Sequence, residues 1–111
     1  MSSGGLPEIT HLQFLVLGML LDDPRAGRDI RQELARHGIR RTAPAFYQMM
    51  ARLEDASLVE GWYDQRVVEG QLIKERHYRL RPPGLRAWNA TRDFYLATLR
   101  GLAPASEPSR G

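Results

Sequence analysis

Gln48 and Arg52 stand four residues apart in the segment TAPAFYQMMARLEDAS, Thr42 to Ser57, and on a helix that spacing puts both on one face. A glutamine amide can bond the edge of an adenine, and an arginine guanidinium can bond guanine or a pair of phosphate oxygens. Pro44 and Ala45 share that face and are small, which lets a groove wall come close. Arg40 and Arg41 precede the segment, where the first backbone N–H groups of a helix point outward. Together with Thr42 those groups can hold a phosphate at the positive end of the helix dipole. Tyr47 can offer its hydroxyl to a phosphate or can serve as a core aromatic; Gln48 and Arg52, each taken alone, could equally be ordinary solvent-facing residues.

Such a surface needs a rigid helix behind it. Thr42 suits the N-cap, Pro44 the first turn, and Phe46, Met49 or Met50, and Leu53 form a stripe to bury. The preceding segment, Arg25 to Arg41, reads as a second helix with Asp23 as cap and Pro24 at its first position. Gly27, Ile30 and Leu34 face inward along it, Gly27 allows a close approach, and Gly38 marks the end. A first helix runs from about Thr10, its cap, to Leu21, apolar over most of its circumference. Leu58 to Val67 reads as a strand, Glu69-Gly70 as a turn, and Gln71 to Leu80 as the returning strand. The hairpin carries Arg66, Gln71, Lys74 and Arg76, suited to a nucleic-acid backbone or minor groove, although Glu69 and Glu75 weaken the positive field there.

Pro82-Pro83-Gly84 breaks the strand and opens a last helix reaching about Leu102. Along it Leu85, Trp88, Arg92, Tyr95, Leu99 and Leu102 alternate spacings of three and four, a coiled-coil seam interrupted by Arg92, with Leu96 adding apolar surface. The expected division is a flexible N-terminus (1–9), a winged helix-turn-helix (10–81), a dimerisation helix (82–102) and a flexible tail (103–111). The fold class is mainly α with a small β-hairpin, α+β. Leu12, Leu15, Met19, Leu85, Trp88, Arg92, Tyr95, Leu96, Leu99 and Leu102 are the expected interface between two copies, the alternative being that the last helix packs solely on its own first helix.

With 111 residues the chain has room for one modest core. It has no cysteine, which excludes disulfides, thiolate metal sites and a cysteine nucleophile. His11, His37 and His77 are scattered, so neither a nucleophile–base pair nor a zinc site is suggested; no enzyme activity, cofactor or metal is expected. No signal peptide or membrane span is legible, and a cytoplasmic location is the expectation. The net charge is only +3, but it is unevenly placed. Arg25, Arg28, Arg31, Arg36, Arg40, Arg41 and Arg52 face only Asp29 and Glu33 over residues 25–52, whereas residues 53–75 are net acidic. A basic stretch of this kind is either a solvated face or the footprint of a polyanion.

In these elements the sequence resembles the PadR family of bacterial transcriptional regulators, over roughly Leu12 to Leu102. LGMLLDDPRAGRDI is similar to the family's opening, AFYQMMARLEDASLVE is the most specific match, and KERHYRLRPPG is similar to its wing exit. Three positions depart from the pattern: Arg28 stands where an aromatic is common, Ser57 where glycine is common, and Arg81-Pro82 where threonine is common. Ser57 is thereby expected in an uncomfortable backbone conformation. The resemblance implies a homodimeric, sequence-specific double-stranded DNA-binding repressor reading a roughly palindromic operator, dimerising through its first and last helices. It also implies, for several members, a small aromatic or cationic effector held between the dimer helices. Here Trp88, with Phe14 and Tyr95, could stack on a planar ligand, or Trp88 could simply pack the dimer core. A winged-helix protein-interaction module that reads no DNA is the alternative.

Overall fold

The structure, a computed structural model, describes residues 8–102; residues 1–7 and the expected tail, 103–111, lie outside the described residues. The elements follow in the order α1 (His11–Met19), β1 (Arg25–Ala26), α2 (Gly27–Arg36), α3 (Ala43–Asp55), β2 (Val59–Val68), β3 (Gln71–Leu80) and α4 (Pro82–Leu102). Three helices and a three-stranded antiparallel sheet of order β1-β3-β2 make the winged helix, and α4 packs back along α1.

Local signals account for most of the boundaries. Thr10 caps α1 in a reciprocal capping box, its hydroxyl accepting from Gln13 N while the Gln13 side chain accepts from Thr10 N. Thr42 caps α3 by accepting from Ala45 N at 3.3 Å. α2 and α3 close in the same way. At α2, Gly38 N and Ile39 N donate to the carbonyls of Ala35 and Leu34; at α3, Ser57 N and Leu58 N donate to those of Glu54 and Leu53. The residue after each cap must be left-handed, and Gly38 meets that at φ 82 without strain. Ser57 meets it at φ 62, the strained conformation expected of it, at a cost on the order of 1 kcal/mol.

Val16 and Leu17 of α1 and its C-cap Leu20 meet Ile30 and Leu34 of α2, and Phe46, Met49, Met50 and Leu53 of α3, in one core closed below by Val59 and Tyr78 of the sheet. Each of these large side chains contributes roughly 1.5–3 kcal/mol by leaving water. Both Met49 and Met50 are buried, where one was expected. Ile9, placed in the flexible N-terminus by the sequence, is 8 % exposed and belongs to this core.

The second helix departs from expectation. Asp23 and Pro24 do not open it; Asp23 lies in a bend, Pro24 follows in irregular backbone, and Arg25 and Ala26 then pair with Tyr78 and His77 as β1. α2 begins at Gly27, with Ala26 at the N-cap and no side-chain hydrogen bond there. The open edge of β3 takes up the backbone of Arg25 and Ala26, and that long-range pairing outweighs the local cap signal. Among the described residues no helix is long and apolar enough to cross a membrane.

Candidate nucleic-acid interface

α3 presents its outer face to solvent. Thr42, Pro44, Ala45, Gln48 and Arg52 are all exposed, while Phe46, Met49, Met50 and Leu53 anchor the opposite face. Tyr47 lies between the two faces, edge-on to Phe46 with ring centroids 5.0 Å apart. It also fits over Gly27 of α2, where a Cβ would stand 2.8 Å from its ring. The close approach expected at Gly27 is therefore made by Tyr47. The Tyr47 ring lines a groove of about 780 Å³ between α3, α2 and the hairpin.

Basic side chains converge on the N-terminal end of α3. Arg40 and Arg41 are exposed in the turn, and an Arg31 Nη donates to the Arg41 carbonyl at 3.0 Å, tying that turn to α2. Arg28, Arg31, Arg40 and Arg41 surround one cleft of about 220 Å³. The sequence reading singled out Arg40 and Arg41 but not Arg28 and Arg31. Their spacing of three on α2 was the available signal, since it puts both on one helix face. Arg31 Nε is buried and unpaired among the described residues.

On the wing the positive charges are largely engaged. Glu75 receives Arg28 at 2.7 Å and Arg66 at 3.3 Å, which joins α2 to the wing. Arg76 donates to Glu54 of α3 at 2.6 Å, a pair with side chains about a quarter exposed (26 % and 25 %). This pair crosses β2 at Gly61, where an added Cβ would stand 2.9 Å from both Glu54 and Arg76. Burial alone would lower the affinity of the Arg76 guanidinium for its proton. The hydrogen bond it donates to Glu54, the charge of Glu54 and the Tyr78 hydroxyl together outweigh that burial and hold it above its ordinary range. Lys74 lies over the Tyr63 ring at 4.7 Å, and Arg66, Gln71 and Lys74 are exposed. The sequence-predicted residues thus fall into an exposed α3 group and a wing group in which Arg66 and Arg76 already hold carboxylates.

α4 lays Trp88 and Tyr95 on α1. Phe14 stacks on Trp88 at 5.6 Å and meets Tyr95 edge-on at 5.5 Å, while the Arg92 guanidinium sits 5.3 Å from the Trp88 ring. Of the three aromatics proposed for a ligand, Phe14 therefore contacts both of the others. On the same helix Leu85, Leu96 and Leu99 are exposed, Leu99 by 62 %; Leu12, Leu15 and Met19 of α1 are half-buried.

The sequence matches no family model and no curated protein. Among solved structures, a PadR family transcriptional regulator from Eggerthella lenta superposes with a TM-score of 0.67 at 28% identity, over 86% of this chain and 81% of that one. The chain has a PadR-like winged-helix fold. A PadR family regulator from Clostridium difficile agrees with this PadR-like chain at a TM-score of 0.68 and 15% identity, over 84% and 95% of the two chains. Bacillus subtilis PadR, solved in complex with operator DNA, matches at a TM-score of 0.59 and 17% identity, over 73% of this PadR-like chain and 45% of that one.

Proposed function

We propose that the protein is a sequence-specific, double-stranded DNA-binding transcriptional regulator that acts as a homodimeric repressor. The observation that carries this reading is the outer face of α3, solvent-exposed along its length, with Arg40 and Arg41 in the turn that precedes it and Arg28 and Arg31 of α2 lining one cleft with them. A helix so placed enters a major groove with its N-terminal amides and Thr42 toward a phosphate. In this reading Pro44 and Ala45 let the groove wall approach, and Gln48 and Arg52 reach base edges. Arg40, Arg41 and Tyr47 hold the backbone on one side, and on the wing Lys74 holds it from the α3 side of the ribbon while Arg66 and Gln71 hold it from the other. Arg76, bound to Glu54, sets the angle of the wing. The structure of Bacillus subtilis PadR with operator DNA supports the assignment by likeness of fold.

Two copies are needed to read a roughly palindromic operator, with their α3 helices about 34 Å apart. The apolar residues that α4 leaves in water, Leu85, Leu96 and Leu99, together with the half-buried α1 stripe, suit the contact between them. A planar effector entering beside Trp88 would have to part the Phe14–Trp88 stack, with Arg92 already over the indole.

The test is selection of bound duplexes from a random pool, followed by a salt titration. Affinity should fall steeply with salt. Arg41→Ala should weaken all sequences and shallow the salt slope by about one phosphate contact, whereas Gln48→Ala should relax base preference at one position of the half-site. Absence of duplex binding even at low salt refutes the proposal and favours a protein-binding winged helix.

A further inference from the structure

Alternation along the wing sorts its charges. β2 and β3 pair in register from Val59↔Leu80 to Val68↔Gln71, so successive cross-strand pairs point to opposite sides of the ribbon. One side carries the pairs Gly61/Tyr78, Tyr63/Arg76, Gln65/Lys74 and Val67/Leu72. It is the side on which Tyr78 is buried and Glu54 reaches Arg76 across Gly61, hence the side turned toward α3. The strand acids Glu60, Asp64 and Glu75 all fall on the other side. The strands contribute no acid to the α3 side; the carboxylate that meets it is Glu54 of α3, paired with Arg76, and Glu69 lies in the turn at the tip.

Beyond the core this side ends in two apolar residues. Val67 and Leu72 face each other across the strands and are 70 % and 64 % exposed, with Tyr63 behind them at 59 %. From the buried Val59 to Val67 the ribbon reaches roughly 26 Å. Glu69 and Gly70, with φ of 51 and 79, close it in a two-residue turn whose twist keeps the strands paired to the tip. Lys74 lies beside this apolar pair on the same side.

We infer that Val67 and Leu72 form an apolar wedge that seats in the minor groove flanking the half-site and bends the duplex. The inference rests on the DNA-binding reading above and adds a deformation to it. Lys74 and Arg76 lend that side positive charge, and it shares one groove with Tyr47 and Ala51 of α3, so a duplex lying along α3 would pass under the tip. Apolar side chains in a minor groove rest on deoxyribose and pry at a base step. The energy then depends on how readily the flanking sequence deforms, so the wing reads flexibility where it makes no hydrogen bond.

The experiment uses the duplex recovered by selection, labelled at both ends for energy transfer, with flanks varied between pyrimidine–purine steps and stiff A-tracts. The parent protein should shorten the end-to-end distance and prefer the flexible flanks several-fold. The double variant Val67→Ser, Leu72→Ser changes only exposed side chains and should melt like the parent. It should leave the duplex straighter and bind all flanks alike, while keeping the half-site base preference. A parent that binds the half-site on a straight duplex, or a double variant that bends and ranks flanks like the parent, overturns the wedge and leaves the DNA-binding reading standing. A double variant whose oligomer mass falls while duplex geometry is unchanged assigns the tip to a second copy and also overturns it. No binding of any duplex by the parent removes both readings.

Discussion

Glu54→Gln should act in opposite directions on the fold and on duplex affinity. Glu54 and Arg76 meet at 2.6 Å across Gly61, each side chain about a quarter exposed. Two unit charges about 4 Å apart attract by about 4 kcal/mol at an effective dielectric of 20, before desolvation is subtracted. Exposed pairs yield under about 1 kcal/mol in practice, and truncation of a fully buried pair costs about 3–5 kcal/mol. A pair screened on one side lies between, so Glu54→Gln should lose about 1–2 kcal/mol. For a domain of this size that is a fall of roughly 1 M in the urea midpoint, with the slope of the transition unchanged. The same change removes a negative charge beside α3 and releases a guanidinium on the side of the wing turned toward the proposed duplex. Non-specific duplex affinity should therefore rise, and the logarithmic salt slope should steepen by about 0.9 for the added phosphate contact. Urea denaturation followed by Trp fluorescence, and anisotropy with a labelled duplex over a salt series, measure the two effects on one preparation. An unchanged urea midpoint would refute the strut. A lowered midpoint with an unchanged or shallower salt slope would refute the idea that Glu54 withholds Arg76 from DNA.

Two further outcomes follow from the packing. The Tyr78 hydroxyl is pushed up to about 12, first by burial and then by the charge of Glu54. It stays neutral in the fold over a range where the unfolded chain ionises near pH 10, so its contribution is intact below pH 10 and is lost as pH rises through about 12. That loss amounts to about 2–3 kcal/mol for a side chain only 1 % exposed. Melting temperatures of the parent should fall between pH 10 and 12 more steeply than those of Tyr78→Phe, and parallel curves would contradict the assignment. Gly84→Ala should destabilise, although alanine is the better helix former. An added Cβ would stand 2.1 Å from the Leu58 carbonyl oxygen, the acceptor of Arg81 N, and would push α4 off the sheet. A loss of about 3 kcal/mol or more is expected by thermal or urea melting, and a variant as stable as the parent would show that α4 can shift freely.

Much of this was legible along the chain because it is local. The cap at Thr42, the Gly38 ending, the stripe of Phe46 and Leu53 and the Glu69-Gly70 turn each act within a few residues, and together they specify a helix-turn-helix followed by a hairpin. The strain at Ser57 was expected from the resemblance, which puts glycine at that position, and its cause is local: the end of α3 takes a left-handed residue. Tertiary structure decided what depends on distant partners. β1 exists because β3 offers an unpaired edge to Arg25 and Ala26, which no local cap signal reveals. Glu54 and Arg76 are twenty-two residues apart and meet because Gly61 leaves room for them to cross. Alternation in the sequence separates the wing acids from the Val67–Leu72 side, but only the packing of α3 against β2 determines which side looks toward the helix. Short-range hydrogen bonding and periodicity are written in the sequence itself. Which faces meet is settled only when one core must satisfy all of them at once.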